Sequence, residues 1–416
     1  MISHFFLFSE TLTTERLSWL EESLKFYFIQ IYPESLMYRG TDKGPAFTFF
    51  LTGDALSSLE NPESQKVWSV ILTLTAVGIV CDQQELDLRG INLDQVKMRN
   101  PGQIVDVNTL SPDKPLSFWN DMVSFIRQKR PSALPDTLGW LQIESPYMHR
   151  SAWYGLKLLF AALQDRYSIE LYAYLDGIHM GHHSQRPTDV ENIGEGLEDL
   201  CDLALQQNLG CQILACNRCA ATRGYGTWDD GKGTIISTCG IKPFKIREIN
   251  AISDRFRRPH TILSANGGSI QLPWKGSGPS FDQAAQNNTY PPLIILITKN
   301  PYTTEHAYGA LSFAVSCAHQ GVFTRVIFME DGVYALTGKS GITPDSVGYN
   351  IQDLINAVAG NENLHLFALT PSFQKRGAAK NPHLKAVLEI GYPGLGKILF
   401  YMPGNVKADN QRVLMF

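Results

Sequence analysis

The chain has 416 residues, 44% hydrophobic and 18% charged, with a formal net charge of −4 and a pI near 6.2. That balance lacks the concentrated positive charge of a polyanion-binding surface, so no direct nucleic-acid binding is expected. No apolar run approaches the ~18 residues a membrane-spanning helix needs, and Met1-Ile2-Ser3-His4 lacks the basic region and cleavage site of a signal peptide.

In chain order, Phe5-Phe6-Leu7-Phe8 predicts a strand, 17–32 a helix, and 46–51 a second strand ending at Thr52-Gly53-Asp54-Ala55. A helix pattern at 65–74 and the strand 77–80 follow, the latter ending at Cys81. The charged, proline-containing stretch 127–136 reads as a linker. Beyond it, Ile143-Glu144-Ser145-Pro146-Tyr147 leads through an apolar helix and a β-rich run to Leu175-Asp176-Gly177-Ile178. An amphipathic helix with Leu197, Leu200, Cys201 and Leu203 precedes the strand 211–215, which ends at Cys216-Asn217-Arg218-Cys219. A polar break rich in Gly, Ser and Asn covers 276–292. After it, Ile297-Thr298-Lys299-Asn300-Pro301-Tyr302 and Glu330-Asp331-Gly332-Val333 repeat the earlier turns, with Cys317 on the intervening helix.

The repeat has no gap: 30 residues separate Pro146 from Asp176 and Pro301 from Asp331. Such self-similarity reads as an array of like units. The first segment is a weaker copy, with Gly53-Asp54 in inverted order. Strand-helix-strand order implies right-handed crossovers and parallel sheets, whose ligands sit outside the carboxyl ends of the strands. The Pro-Tyr and Asp-Gly turns and the Cys216 strand end all fall on that edge. In each copy the following helix stops at Arg-Gly: Arg89-Gly90, Arg223-Gly224, Arg376-Gly377. Glycine suits the left-handed cap, and arginine complements the helix dipole.

Seven cysteines are odd in number and uneven in spacing, which implies reduced thiols in a cytoplasm. Cys216 sits where a strand meets a helix N-terminus, with Arg218 and Arg223 nearby, a setting that favours a thiolate. Cys219 shares its face and suits attack, resolution or sulfur hand-over. Cys81 ends the corresponding strand of the first segment, but Asp82, Glu85 and Asp87 follow it and disfavour a thiolate. The third segment has Leu369 or Thr370 at that place. Cys201 and Cys317 read as core residues. A metal set drawn from Cys211, Cys216, Cys219 and Cys239 is opposed by geometry. Cys211 and Cys216 are roughly 16 Å apart along a strand at ~3.3 Å per residue. Three thiols with His179, His182 or His183 stay open as an alternative. The run Gly391 to Lys397 matches G-x-x-x-x-G-K, but Ile398 replaces the magnesium-binding Ser or Thr, and 398–401 reads as a strand.

These turns, the Glu330-Asp331-Gly332-Val333-Tyr334 run and the Cys216…Arg223-Gly224 segment together resemble the DsrE/DsrF/DsrH family of sulfur-relay proteins, whose tRNA-thiolation relatives are the Tus B, C and D subunits. The tail, Arg412-Val413-Leu414-Met415-Phe416, is similar to that family's closing strand. The resemblance implies an α/β fold of three tandem flavodoxin-like DsrE-type units with parallel sheets. The units would span 1–130, 137–275 with the candidate cysteine, and 291–416 without it. It implies a sulfurtransferase-like persulfide carrier acting through Cys216; Cys219 and Cys81, with Arg218, Arg223 and Asp176 in support, are the other candidate site residues, and no cofactor or metal is expected. Its expected partners are small carriers resembling TusA or DsrC/TusE and a second copy of the chain, with no membrane. Residues 225–292 exceed what such a unit needs. The alternatives are a non-catalytic oligomeric scaffold and a Cys/His metal-dependent redox module.

Overall fold

The computed structural model describes residues 3–31, 46–74, 77–93, 104–106, 116–129, 136–188, 190–229, 235–271, 290–338, 350–400 and 410–416. Most of the two predicted breaks, at 130–135 and 272–289, lies outside the described residues. The described strands are β1 (Ser3–Phe8), β2 (Ala46–Leu51), β3 (Val77–Cys81), β4 (Ile104–Asp106), β5 (Thr137–Gln142), β6 (Ser168–Ala173), β7 (Cys211–Cys216), β8 (Thr227–Asp229), β9 (Ile235–Ser237), β10 (Phe244–Arg247), β11 (Thr261–Leu263), β12 (Gly267–Gln271), β13 (Leu293–Ile297), β14 (Thr324–Phe328), β15 (Leu364–Leu369), β16 (Val387–Ile390) and β17 (Asn410–Met415).

They form two mostly parallel sheets. One runs β11-β5-β6-β7-β10-β9-β8, parallel over its first five strands. The other has ten strands in the order β16-β15-β14-β13-β17-β12-β1-β2-β3-β4, parallel except where β12 pairs with β17 and β1. The first and third segments therefore do not have separate sheets. β17 lies beside β13 as β11 lies beside β5. Among the described residues the first segment has no such fifth strand of its own, and β12, arriving from the second segment, fills the place in the opposite direction. An open β1 edge would present unpaired backbone groups, and β12 covers it. This accounts for much of 225–292: a β8–β9 hairpin, the fourth strand β10, the fifth strand β11, and the bridging β12.

Alternation along the strands of the ten-stranded sheet feeds two cores. Phe5, Leu7, Leu293, Ile295 and Ile297 face the core shared with the second segment. Phe6, Phe8, Ile294 and Leu296 face the other, under the helices Thr14–Phe26, Pro62–Ile71 and Tyr392–Phe400. Both faces are covered, so the strands read as continuous apolar runs. The last helix corrects the strand expected at 398–401 over residues 398–400, and residue 401 lies outside the described residues. Leu395, Ile398 and Leu399 are buried at helical spacing, and a Cβ at Gly396 would lie 2.9 Å from the Ser23 carbonyl oxygen. The glycines there allow close helix packing, and no loop is left to wrap a phosphate.

Candidate functional site

At the carboxyl ends of β2, β6 and β14 the backbone makes the same unusual turn. Gly53, Leu175 and Glu330 have φ of 56°, 50° and 51°. For the two non-glycine residues that conformation costs on the order of 1–3 kcal/mol and needs local support. The Leu175 N–H donates to Cys219 Sγ at 3.3 Å, and the Glu330 N–H donates to Ser372 Oγ at 2.9 Å. Asp54, Asp176 and Asp331 each follow, so the first copy's Gly-Asp order is not an inversion.

The next helix starts in one register three times. Asp82, Cys216 and Leu369 are its N-caps, and Gly90, Gly224 and Gly377 close it at φ of 67°, 79° and 58°. Counting on from the caps, Glu85, Cys219 and Ser372 are equivalent, as are Arg89, Arg223 and Arg376. This changes the expected match of Cys81 with Cys216. Cys81 pairs with Leu51 as Ala215 pairs with Ala173 and Ala368 with Phe328. It stands one residue before the cap, and with a side-chain period of two it points into the core, fully buried. Asp82 holds the equivalent of the Cys216 position, its hydroxyl partner Thr52 at 2.9 Å, and burial raises its pKa.

Cys216 is 1% exposed and Cys219 6%. A hydrogen bond from the Cys219 thiol lowers the Cys216 pKa to about 7 against burial, helped by the Cys219 and Arg218 backbone N–H groups and the Arg218 charge. The proton sits with Cys219, whose pKa is raised by the Cys216 thiolate and by burial. Tyr174, buried beside both thiols, is raised well above the usual phenol range by burial and then by their charge, and its hydroxyl donates to the Gly309 carbonyl at 3.0 Å.

The three arginines do more than complement a helix end. Each reaches the carbonyl four residues back, at 3.4, 3.5 and 3.2 Å for Glu85, Cys219 and Ser372. Each pairs with the aspartate of its own segment: Arg89 with Asp54 at 2.9 Å, Arg223 with Asp176 at 2.6 Å, Arg376 with Asp331 at 2.7 Å. Two of them also bond a glutamate at the start of a helix from another segment. Arg223 bonds Glu305 at 2.8 Å, and Arg376 bonds Glu15 at 3.0 Å. At the third junction the signs are exchanged. Arg150 precedes the second segment's helix and bonds Glu85 of the first at 2.8 Å. The contacts run from first to second, second to third, and third back to first.

These junctions differ in what they enclose. Between the second and third segments a cavity of about 420 Å³ is lined by Cys216, Cys219 and Arg218 on one side and Tyr302, Glu305 and Tyr308 on the other. Between the first and second lies a cavity of about 460 Å³, with Asp54, Arg89, Arg150 and Tyr154 on its wall and no thiol. At the third-to-first junction, buried Glu330 accepts from Arg16 at 2.8 and 3.0 Å and from the Trp19 indole at 3.1 Å. Glu305, Tyr302 and Tyr308 were missed as site residues. The Pro301-Tyr302 turn was legible, but its closeness to Cys216 is a tertiary fact.

The remaining thiols and histidines do not join the site. His183 Nδ1 lies 2.8 Å from the Cys239 carbonyl, and His179 lies 3.3 Å from the Tyr225 hydroxyl. Among the described residues no three His, Cys, Asp or Glu side chains converge to hold a metal ion. Nor is any described helix long and apolar enough to cross a membrane.

The fold and site define an α/β protein of mostly parallel sheets with a buried thiol pair at a strand end. Residues 292–398 match the DsrE/DsrF-like family. An uncharacterized protein of Methanopyrus kandleri is 28% identical over 95 residues, 23% of this chain and 75% of its own. One of Methanocaldococcus jannaschii is 34% identical over 66 residues, 16% of this chain and 56% of its own. The crystal structure of the ychN protein from E. coli aligns with 30% of this chain and 99% of its own, at 24% identity and a TM-score of 0.25.

Proposed function

We propose that this chain is a sulfur-relay protein. Cys216 accepts sulfane sulfur as a persulfide and yields it to a partner thiol, and Cys219 shares or resolves it. The observation that carries the reading is the Cys216 thiol, brought down to about 7 and set on the wall of the 420 Å³ cavity. A thiol titrating near ambient pH combines a large thiolate fraction with good nucleophilicity, and it leaves well when the acceptor attacks. The DsrE/DsrF-like match at 292–398 supports the family reading through the frame that recurs around Cys216, although that stretch itself lacks the thiol pair.

The chain comprises three DsrE-like units, at 1–130, 137–275 and 291–416. The thrice-repeated turn, cap and arginine bridge supports this, and the cyclic contacts suit a pseudo-threefold ring. Only the second unit keeps the thiols, so the others serve as walls and docking surfaces. Small carriers resembling TusA or DsrC/TusE would exchange sulfur with it in the cytoplasm, and two chains would pair across a two-fold axis. The test is mass spectrometry of the full chain after exposure to a persulfide donor. A gain of about 32 Da, one sulfur atom, is expected on Cys216 and lost in Cys216→Ser. Loading that persists in Cys216→Ser when Cys201 and Cys211 are also replaced overturns the assignment, and a copurifying metal on the thiols favours a redox module instead.

A further inference from the structure

A second thiol pair lies at the opposite end of β7. The helix Ile193–Gln206 buries Leu197, Leu200 and Ala204 and leaves Cys201 half-buried on its flank. The chain then reverses through Asn208, at φ of 57°, and is pinned by the Leu209 N–H to the Ala204 carbonyl at 2.8 Å and the Gly210 N–H to Ser168 Oγ at 3.0 Å. β7 begins at once with Cys211, also half-buried. The short, tightly held connection leaves the two sulfurs 2.8 Å apart. A disulfide at ~2.05 Å needs the sulfurs to approach by a further ~0.8 Å, within reach of small side-chain rotations. Five strand steps, roughly 16 Å, separate this pair from Cys216, so the relay chemistry does not use it.

Two features set these thiols apart from an inert core pair. Both touch solvent, and Leu205 one turn on is 77% exposed, so a small polysulfide or a persulfide has access. The pair is also ordered. The Cys211 S–H directed at Cys201 lowers the Cys201 pKa, while Cys211 is raised by the same contact and by burial. One thiol is thus the nucleophile and the other holds the proton.

We propose that Cys201 and Cys211 form a second sulfane-sulfur site, which reduces persulfides or polysulfides to sulfide and closes to a disulfide. The Cys201 thiolate attacks the terminal sulfur of RS–SH. A Cys201–S–SH bond forms, the donor S–S bond breaks, and RS⁻ leaves with a proton to give RSH. Cys211 then gives up its proton and attacks the Cys201 sulfur, expelling HS⁻, which takes that proton. Two thiols and one persulfide become one disulfide, one RSH and one H₂S. The two cysteine sulfurs lose two electrons, and the sulfane sulfur gains them. With a polysulfide the leaving group is the shorter chain. This activity stands whether or not Cys216 relays sulfur.

The experiment uses the full chain carrying Cys216→Ser and Cys219→Ser, so that failure of the relay leaves the result readable. The reduced protein is exposed to inorganic polysulfide under argon, quenched with iodoacetamide and mapped by peptide mass spectrometry. A linked Cys201–Cys211 peptide is expected only with polysulfide. Adding Cys211→Ser should halt the reaction at its first step, with one extra sulfur, about 32 Da, on Cys201. Recovery of both cysteines as unlinked carbamidomethyl adducts overturns the proposal. So does a link that forms equally without polysulfide, or an added sulfur on Cys211 alone.

Discussion

Ser372 occupies in the third segment the place of Cys219 in the second. Its hydroxyl accepts from the Glu330 N–H as the Cys219 sulfur accepts from the Leu175 N–H. The frame of the site is thus kept where its chemistry is absent. The strained turn, the acceptor beneath it and the arginine bridge form one structural unit, into which thiols fit at a single junction.

The Cys219 thiol is the first cause of the low Cys216 pKa. Cys219→Ala removes that donor, so the Cys216 midpoint should rise from about 7 toward the ordinary ~8.5. Alkylation by iodoacetamide at pH 7 should then slow about tenfold. Cys219→Ser, whose hydroxyl can still donate, should shift it less. The rate against pH in each variant, with Cys201 and Cys211 replaced, checks this.

Two glutamates that face arginines should differ in weight. Glu330 and Arg16 are almost wholly buried, so Glu330→Ala leaves the Trp19 N–H without that acceptor and strips the Arg16 guanidinium of its two short bonds, leaving Glu10 at 3.7 Å. A loss of about 3–5 kcal/mol is expected. Glu305 is largely exposed, and Glu305→Ala should cost less than about 1 kcal/mol. Urea denaturation of both variants measures the contrast.

The Asp-Gly pairs carry a packing demand. A Cβ on Gly177 would lie 2.2 Å from the Gln142 carbonyl oxygen, and one on Gly332 2.0 Å from that of Ile297. Both contacts are with backbone, so Gly177→Ala and Gly332→Ala should each destabilise by about 1–3 kcal/mol or more. Thermal melting of each reports it. Gly90→Ala, with open space but positive φ, should cost less.

Cys81 supplies a further check on register. Cys81→Ser should leave sulfur loading of Cys216 unchanged while lowering stability by about 1–3 kcal/mol, because it buries a hydroxyl in an apolar core. Loss of loading in a folded Cys81→Ser protein would return the active site to the first segment.

The strand-end turns were legible because Pro-Tyr and Asp-Gly recur at fixed spacing, and backbone geometry at such turns is read locally. Cys81 was misassigned by one residue. Its sequence neighbourhood looks like that of Cys216, although it stands nine residues before its glycine and Cys216 eight, and the ladder shows which of two adjacent residues faces the helix end. The 392–400 helix was hidden by an Ile-Leu-Phe-Tyr run of strand-like residues, yet Leu395, Ile398 and Leu399 are buried at helical spacing. Cys201 was read as core from the leucines around it. Its contact with Cys211 depends on how tightly 207–210 folds back. β12 left no legible trace, since its pairing joins residues near 5, 268 and 413.

The position of β12 bears on how the chain is made. Strands drawn from residues 3–8, 267–271 and 410–415 must meet side by side to complete the ten-stranded sheet. During synthesis the N-terminal strand waits for β12, and β12 and β13 keep open edges until β17 has left the ribosome. Such remote pairings fold slowly and expose aggregation-prone edges meanwhile. Three pieces cut at the segment boundaries and expressed apart should therefore be insoluble, and nascent chains halted before residue 410 should depend on chaperones to stay in solution.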